Sequence, residues 1–520
     1  MFPIIRRISV QAVIVTFFAF FCLTAWLAVF FLNACWLWAA IPATGLLTLA
    51  FADIRQHQHS ILRNYPVVGH LRSLFEAFRP ELRQYFWESD LDGKPFSRRQ
   101  RSLVYQRSKE SQETVAFGTQ LDVGAAGHEW IAHSIYPSLF KGDLHIMIGN
   151  KQCAQPYKSS ILNIGALSFG ALSDAAISAL NQGAKIGGFA QNTGEGGISP
   201  YHLMGGDLIW QIGTGYFGCR DAFGRFDADL FKSVAVNPLV KMIELKLSQG
   251  AKPGLGGMLP ASKNTAEIAG IRNITPGTDV ISPAGHTAFS NAKDMIRFVG
   301  KLRSLSDGKP VGIKLCIGSK REFREICDAI YAGNIIPDFI TIDGAEGGTG
   351  AAPVEFSDHV GMPLYEAIAF AARVLREYHL EKSIRIIASG KITDGFDIIR
   401  ALALGASGCY SARAMMFSLG CIQALQCHSD KCPVGIATQD RSRVHGLVAS
   451  DKRVRVANYH RNTLKATVKL LEACGCEDLS EIDPANIFRK LKEGRSASYQ
   501  AIYFAESEDM QSLLEVSSFN

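Results

Sequence analysis

The chain lacks a Walker loop and a G-x-S-x-G elbow, which removes P-loop nucleotide hydrolysis and serine-hydrolase chemistry from consideration. It also lacks a strong charge bias, with a net charge of +6 over 520 residues. The densest basic stretch, Arg98 to Arg107, lies among Glu88, Asp90, Asp92 and Glu110 without interleaved aromatics, so it reads as a solvated face and nucleic acid is not expected as a partner. The twelve cysteines lack the short, paired frame of a secreted disulfide scaffold, and a reducing compartment follows. Charge itself is missing from Ile8 to Leu32 and from Ala34 to Ala52. Two such runs predict a membrane-spanning helical hairpin with Asn33 as its turn. A cleaved signal ending at Leu32-Asn-Ala-Cys35 is the alternative, but the apolar region is too long and a second one follows.

Arg6 and Arg7 precede the pair and Arg55 and Arg63 follow it, which predicts both ends on the cytoplasmic side of an inner membrane, with Trp26, Trp36 and Trp38 near an interface. Four segments are expected: an anchor over residues 1–54, a collar of short helices and a cap over 55–155, a barrel over 156–440, and a helical tail over 441–520 that includes Tyr459–Ala473 and Ile487–Lys492.

From about residue 160 short apolar runs alternate with helical stretches. Eight strands are predicted: Ile161–Ile164, Phe189–Gln191, Met242–Leu247, Val280–Ile281, Val311–Cys316, Phe339–Ile342, Ile384–Ala388 and Gly408–Tyr410. Helix-like intervals such as Ser173–Gly183, Asn291–Leu305 and Leu364–Glu377 between them argue parallel βα units closing into a (β/α)8 TIM barrel, with its chemistry at the C-terminal strand ends.

Glycine clusters fall where those strands end: Gly165-Ala166-Leu-Ser168-Phe-Gly170, Asn192-Thr-Gly-Glu-Gly-Gly197, Gly250 to Gly257, Gly344 to Gly350 with Gly348 between, and Ser389 to Gly395. Backbone N–H groups in such loops can hold a phosphorylated, planar cofactor, whereas simple turns are the plainer reading. A phosphate after the seventh and eighth strands points to Gly390, Lys391, Gly408, Ser411 and Arg413. Gly213-Thr-Gly215-Tyr-Phe-Gly218 matches a dinucleotide fingerprint, yet no apolar helix continues it, which argues against a Rossmann unit. His202 and His445 read as structural.

Charged residues stand among the glycines. Lys314 interrupts an apolar strand, a costly position unless it meets negative charge such as a reduced flavin. Lys252 and Arg272 are candidates for substrate carboxylates and Glu195 for proton relay, each with a structural ion pair as its alternative. Cys421, Cys427 and Cys432, followed by Pro433, can wrap one iron–sulfur cluster. Zinc, which prefers cysteine pairs two to four residues apart, and simple burial are the alternatives.

Taken together these motifs resemble the FMN-binding synthase domain of glutamate synthases, in particular a stand-alone, membrane-anchored branch, over residues 150 to 445. Gly165–Gly170, Asn192–Gly197, Gln249–Gly257, Gly347–Pro353 and Cys421–Asp440 follow the family motifs in order. The resemblance implies a barrel with FMN and a 3Fe-4S cluster on Cys421, Cys427 and Cys432. It implies that 2-iminoglutarate, from 2-oxoglutarate and ammonia, is reduced to glutamate, with Glu195, Lys252 and Arg272 at the oxo-acid site and Lys314 beside the flavin. Gly165, Ala166, Ser168, Asn192, Gly348 and Gly350 would join the flavin cradle. No glutaminase segment precedes the barrel, so ammonia is expected from elsewhere, and electrons from a ferredoxin or a separate reductase subunit. The family pattern Lys-Pro-Gly-Glu-Gly-Gly-Gln stands here as Lys252-Pro-Gly-Leu255-Gly-Gly-Met258, which leaves two alternatives in view: an N-substituted amino acid as product or substrate, or membrane electron transfer without amino-acid chemistry.

Overall fold

The computed structural model describes residues 9–111 and 113–505. Arg6 and Arg7, on which the predicted orientation partly rests, lie outside the described residues. The chain divides at Arg98 into two compact units.

In the first unit, α1 (Val10–Phe31) and α2 (Leu37–Arg55) are both long and apolar enough to cross a membrane by length and composition. Ser9 caps α1 by accepting from the Ala12 N–H, and Asn33 starts the reversal by accepting from the Cys35 N–H at 2.9 Å. The two helices meet through Cys22, Ala25, Ala40 and Ala43, small residues that let backbones approach, and Trp26 donates its indole N–H to Thr44 at 2.9 Å. After α2 come the short α3 (Ser60–Asn64) and α4 (Gly69–Leu82).

The second unit is built on a closed parallel barrel. Its strands are β1 (Leu162–Ile164), β2 (Ala190–Asn192), β3 (Asp207–Ile212), β4 (Val240–Lys246), β5 (Val311–Leu315), β6 (Phe339–Asp343), β7 (Arg385–Ser389) and β8 (Gly408–Ser411). Closure is made by β8 on β1, with Tyr410 opposite Asn163, and by β4 on β5, with Lys246 opposite Lys314. Helices follow the strands because their apolar faces recur at helical spacing: Ala176, Ile177 and Leu180 on Asp174–Gly187, or Ile368, Ala371 and Leu375 on Leu364–Glu377, all buried. Burying each isoleucine or leucine of these faces stabilises the fold by roughly 1.5–3 kcal/mol, the alanines less.

Seven of the eight predicted strands lie on barrel strands, and one does not. Val280–Ile281 pairs antiparallel with Met258–Leu259 in a small hairpin on the excursion after β4, where Ile281 is exposed. Its barrel place is taken by β3, in which Leu208, Ile209, Trp210, Gln211 and Ile212 are all buried. The polar Gln211 breaks the apolar run, and its amide donates to Glu244, its register partner on the neighbouring β4, at 2.6 Å.

The ring of helices is completed by Ala449–Ala473, packed against Asp174–Gly187 and Gly395–Ala403 and lying past residue 440. Gly183 permits that contact, since a Cβ there would stand 2.6 Å from Val456. The tail expected to be helical also contains strand: Ile487–Lys490 pairs with Glu129–Ile131 and with Ser496–Ser498. The N-terminal mouth is stoppered by the hairpin of His145–Ile148 and Tyr157–Ser160, whose Ile148 packs with Ala190, Ile209, Met242, Phe339 and Tyr410.

Asp338, fully buried before β6, ties this layer together. Its carboxylate accepts from the Asn150 N–H, the Val311 N–H and Arg303, each at 2.8 Å. Asp338→Ala removes one partner of a buried pair and orphans two backbone donors, so a loss of about 3–5 kcal/mol is expected. A lowered urea midpoint checks it, and an unchanged midpoint would show that water replaces the carboxylate.

Candidate active site

All eight strands present their C-terminal ends to one mouth, and the glycine loops rim it. The loops after β1 and β2 touch: a Cβ on Gly194 would meet the Ser168 nitrogen at 2.8 Å. Gly165 donates its N–H to the Ser411 carbonyl at 3.0 Å, bringing the β1 loop with Ala166 to the end of β8. At the end of β2, Asn192 donates its amide to Glu244 at 2.8 Å and accepts from the Gly194 N–H at 3.0 Å. Glu244 also accepts from Thr341 at 2.6 Å, so one buried carboxylate binds β2, β3 and β6 to β4.

Two charged groups of residues stand above this layer. In the first, Glu195 forms an ion pair with Lys246 at 2.9 Å, and Lys252 and Arg272 lie close enough to act on it electrostatically. Burial alone would raise the Glu195 carboxyl, but these three cations hold it below its ordinary range. Burial lowers the Lys252 ammonium despite Glu195, and lowers the Arg272 guanidinium to about 10. Arg272 donates to the Phe169 carbonyl at 2.9 Å and stacks 5.1 Å from the Phe217 ring centroid, while its buried Nε has no partner among the described residues. The loop after β4 hugs Glu195 so closely that a Cβ on Gly257 would sit 2.5 Å from its oxygen. His286 closes the floor by bonding the Lys246 carbonyl at 2.8 Å and the Tyr216 hydroxyl at 3.0 Å.

In the second group, Lys314 faces Asp343 at 3.7 Å, and Asp343 accepts from Ser389 at 2.7 Å and from the Gly250 N–H at 2.8 Å. Arg413 donates to the Glu346 carbonyl at 2.6 Å and presses on Gly348, where a Cβ would come within 2.7 Å of its Nε. Lys391 acts on the same Glu346 carboxyl, which burial raises. Ser411 donates its hydroxyl to the Ile392 carbonyl at 2.7 Å. Gly390 and Gly350 lie on the loops after β7 and β6.

The structure thus gathers Glu195, Lys252, Arg272, Lys314, Lys391, Ser411 and Arg413 at one mouth. Gly408 is not with them. It begins β8, at the opposite end, where a Cβ would press on Ile146 and on the Ile161 carbonyl at 3.2 Å. Lys246 and Glu244 escaped the sequence reading, although charged residues in otherwise buried strands are the signal that marked Lys314. The Gly213–Gly218 run lies in the turn after β3 with no helix opening on it.

The cysteine loop follows helix Arg413–Ser418. Burial pushes the Cys421 thiol up to about 12, and Cys427 and Cys432 add to that rise, so the three sulfurs share one neighbourhood. Among the described residues, however, no three Cys, His, Asp or Glu side chains stand as a bound metal ion requires. The loop is held by Lys263, buried, whose ammonium donates to the carbonyls of Ala171, Cys427 and Ala437 at 3.1, 2.8 and 2.7 Å. His202 is buried and bonded to Ser199 at 2.9 Å, in keeping with a structural role.

A carboxyl held below its ordinary value stabilises the fold above that value and loses the contribution as pH falls through the depressed one. Glu195→Gln should therefore flatten the fall in stability below pH 4.5, the ordinary glutamate value, in acid-unfolding curves. Superimposable acid limbs would show that Glu195 is not ionised against the three cations.

Residues 139–477 match the conserved region in glutamate synthase. The chain is 36% identical to the glutamate synthase large subunit-like protein YerD of Bacillus subtilis, over 88% of this chain and 94% of that one. It is 37% identical to the archaeal glutamate synthase (NADPH) of Methanocaldococcus jannaschii over 61% of this chain, and spans 60% of that relative's length. A flavocytochrome b2 variant with benzoylformate aligns at 14% identity and TM-score 0.45, covering 86% of this chain and 91% of that one. The region matched as conserved in glutamate synthase includes every strand of the barrel and every side chain placed at its mouth, and the chain belongs to the glutamate synthase family.

Proposed function

We propose that this chain is an FMN-dependent oxidoreductase that reduces 2-iminoglutarate, formed from 2-oxoglutarate and ammonia, to glutamate. The observation that carries the reading is the charge count at the mouth. Glu195 is paired with Lys246, which leaves Lys252 and Arg272 as two cations for the two carboxylates of a dicarboxylic oxo-acid. The partnerless buried Nε of Arg272 is a donor that such a carboxylate would satisfy.

The second group of residues fits a flavin phosphate. Lys391 and Arg413 are cations beside Gly348 and Gly390, and Lys314 sits one strand from Asp343 with its charge only partly countered at 3.7 Å. When bound, the flavin supplies hydride to the imine carbon. The side chains do the rest. Lys252 and Arg272 orient the substrate, Lys314 places positive charge where the isoalloxazine would lie, and Glu195, ionised and held by Lys246, accepts or returns a proton at its carboxylate oxygen. Cys421, Cys427 and Cys432 would hold an iron–sulfur cluster, an all-sulfur donor set suited to iron, and such a cluster would supply a route for electrons from a ferredoxin or a reductase subunit. The apolar hairpin of α1 and α2 anchors the enzyme in the inner membrane with its barrel in the cytoplasm.

Leu255 and Met258, partly exposed on the excursion after β4, favour a second reading in which the nitrogen donor is an amine rather than ammonia. Anaerobically reduced protein should recover its flavin band near ~450 nm on addition of 2-oxoglutarate with ammonium. Recovery with methylamine alone would move the assignment to N-substituted amino acids, and a band that stays bleached with both would overturn imine reduction. Lys252→Ala or Arg272→Ala should raise the oxo-acid concentration needed by ~10- to 100-fold, since a hydrogen bond to a charged group contributes about 1.5–3 kcal/mol. Cys427→Ser should lose iron and acid-labile sulfide from the purified protein along with donor-dependent turnover; full iron content would remove this loop as the cluster site.

A further inference from the structure

The helix that follows the apolar hairpin packs against almost nothing. Every residue from Leu71 to Pro80 on α4 is exposed, including Leu71, Leu74, Phe75 and Phe78, and the chain then adds Tyr85, Phe86 and Trp87, the last 71% exposed. A 14-residue helix with so much apolar surface in water is at the margin of stability by itself. Its surface is not uniform. A groove of about 810 Å³ runs along it, walled by Leu71, Phe75, Leu82 and Trp87 and set with Arg72, Arg79 and Arg83 and one carboxylate, Glu76. Aliphatic and aromatic walls combined with guanidinium forks, which match phosphate geometry, describe a ligand with a phosphate at one end and hydrocarbon at the other.

The location of the groove is fixed by one buried carboxylate. Asp53, 4% exposed in the last turn of α2, accepts from the Val67 N–H at 2.8 Å and bonds His70 Nε2 at 2.9 Å. The first turn of α4 is therefore held against the end of α2, and the groove begins within a turn of where the second apolar helix stops. Charge over residues 53–83 is net positive: five arginines, Arg55, Arg63, Arg72, Arg79 and Arg83, stand against Asp53, Glu76 and Glu81. The Arg79–Glu76 pair at 3.6 Å is largely exposed and screened, so it does little to cancel that field. Basic side chains beside exposed Phe and Trp are the composition of a segment lying at the headgroup level of an anionic leaflet.

We propose that the α4 groove is a binding site for one anionic phospholipid of the bilayer, its phosphate on Arg79 and Arg83, one helical turn apart, and its acyl chains along Leu71, Phe75 and Trp87. The site rests on the reading of α1 and α2 as a membrane anchor. Through Asp53 and His70 it fixes α4 flat against the membrane surface, so the hairpin is joined to a lipid-clamped segment and not to a loose linker.

The test is native mass spectrometry of the full-length protein released from neutral detergent, with dioleoylphosphatidylglycerol or dioleoylphosphatidylcholine added. One phosphatidylglycerol should be retained at least about tenfold over phosphatidylcholine, each basic residue near an anionic surface contributing about 1 kcal/mol. Arg79→Gln with Arg83→Gln should abolish the preference while the protein keeps its flavin. Brominated phosphatidylglycerol should quench part of the tryptophan emission, and Trp87→Phe should remove that part. Equal retention of the two lipids, a preference that survives both substitutions, or a dimer that forms in place of the adduct would overturn the proposal. Recovery of the protein in the aqueous fraction without detergent would overturn the anchor and the site together, whereas lipid indifference in protein that needs detergent would overturn the site alone.

Discussion

The barrel depends on a single carboxylate at its centre. Glu244 has no exposed surface, and its carboxylate accepts from the Asn192 amide at 2.8 Å, the Gln211 amide at 2.6 Å and the Thr341 hydroxyl at 2.6 Å. Those donors come from β2, β3 and β6, so one residue of β4 ties strands that are not all neighbours. Its influence reaches the mouth through Asn192, which accepts from the Gly194 N–H and so sets the turn that carries Glu195. Leaving a charge of this kind unpartnered in a barrel interior would cost several kcal/mol, and for that reason the three donors and the acceptor stand or fall together.

Above that layer the charges are sorted rather than scattered. The group around Glu195 carries three cations and one carboxylate. The group around Asp343 and Glu346 is nearer balance, with Lys314, Lys391 and Arg413 as its cations. An excess of buried positive charge is unfavourable unless something anionic occupies the site, so the mouth is set to take anions. The cysteine loop is held by a different device: Lys263 spends its three donors on backbone carbonyls, so it fixes the path of the loop while leaving the sulfurs to one another.

Much of this could be read from the sequence because local patterning and the final fold agree. Seven strands, the outer helices and the glycine-rich rim all follow from short apolar runs, helical spacing and turn residues. The failures share a cause. β3 is hidden in the sequence because Gln211 looks out of place in a core until Glu244 is seen opposite it on β4, and Val280–Ile281 reads as a strand of the barrel because two apolar residues say nothing about which sheet they join. Gly408 was misplaced because a strand of four residues has its two ends only about 10 Å apart, and sequence alone does not say which end a glycine marks. Lys246 and Lys263 became visible only with partners remote in sequence, Glu195 for one and three carbonyls for the other.

The stopper at the N-terminal mouth bears on traffic through the molecule. With Ile148 packed on Ala190, Ile209, Met242, Phe339 and Tyr410, the barrel is a vessel with one door, the rim between the glycine loops. Whatever binds there enters and leaves by the same passage, so two anions alike in charge and length contend for the same pair of cations, Lys252 and Arg272, and the departure of one sets the arrival of the next.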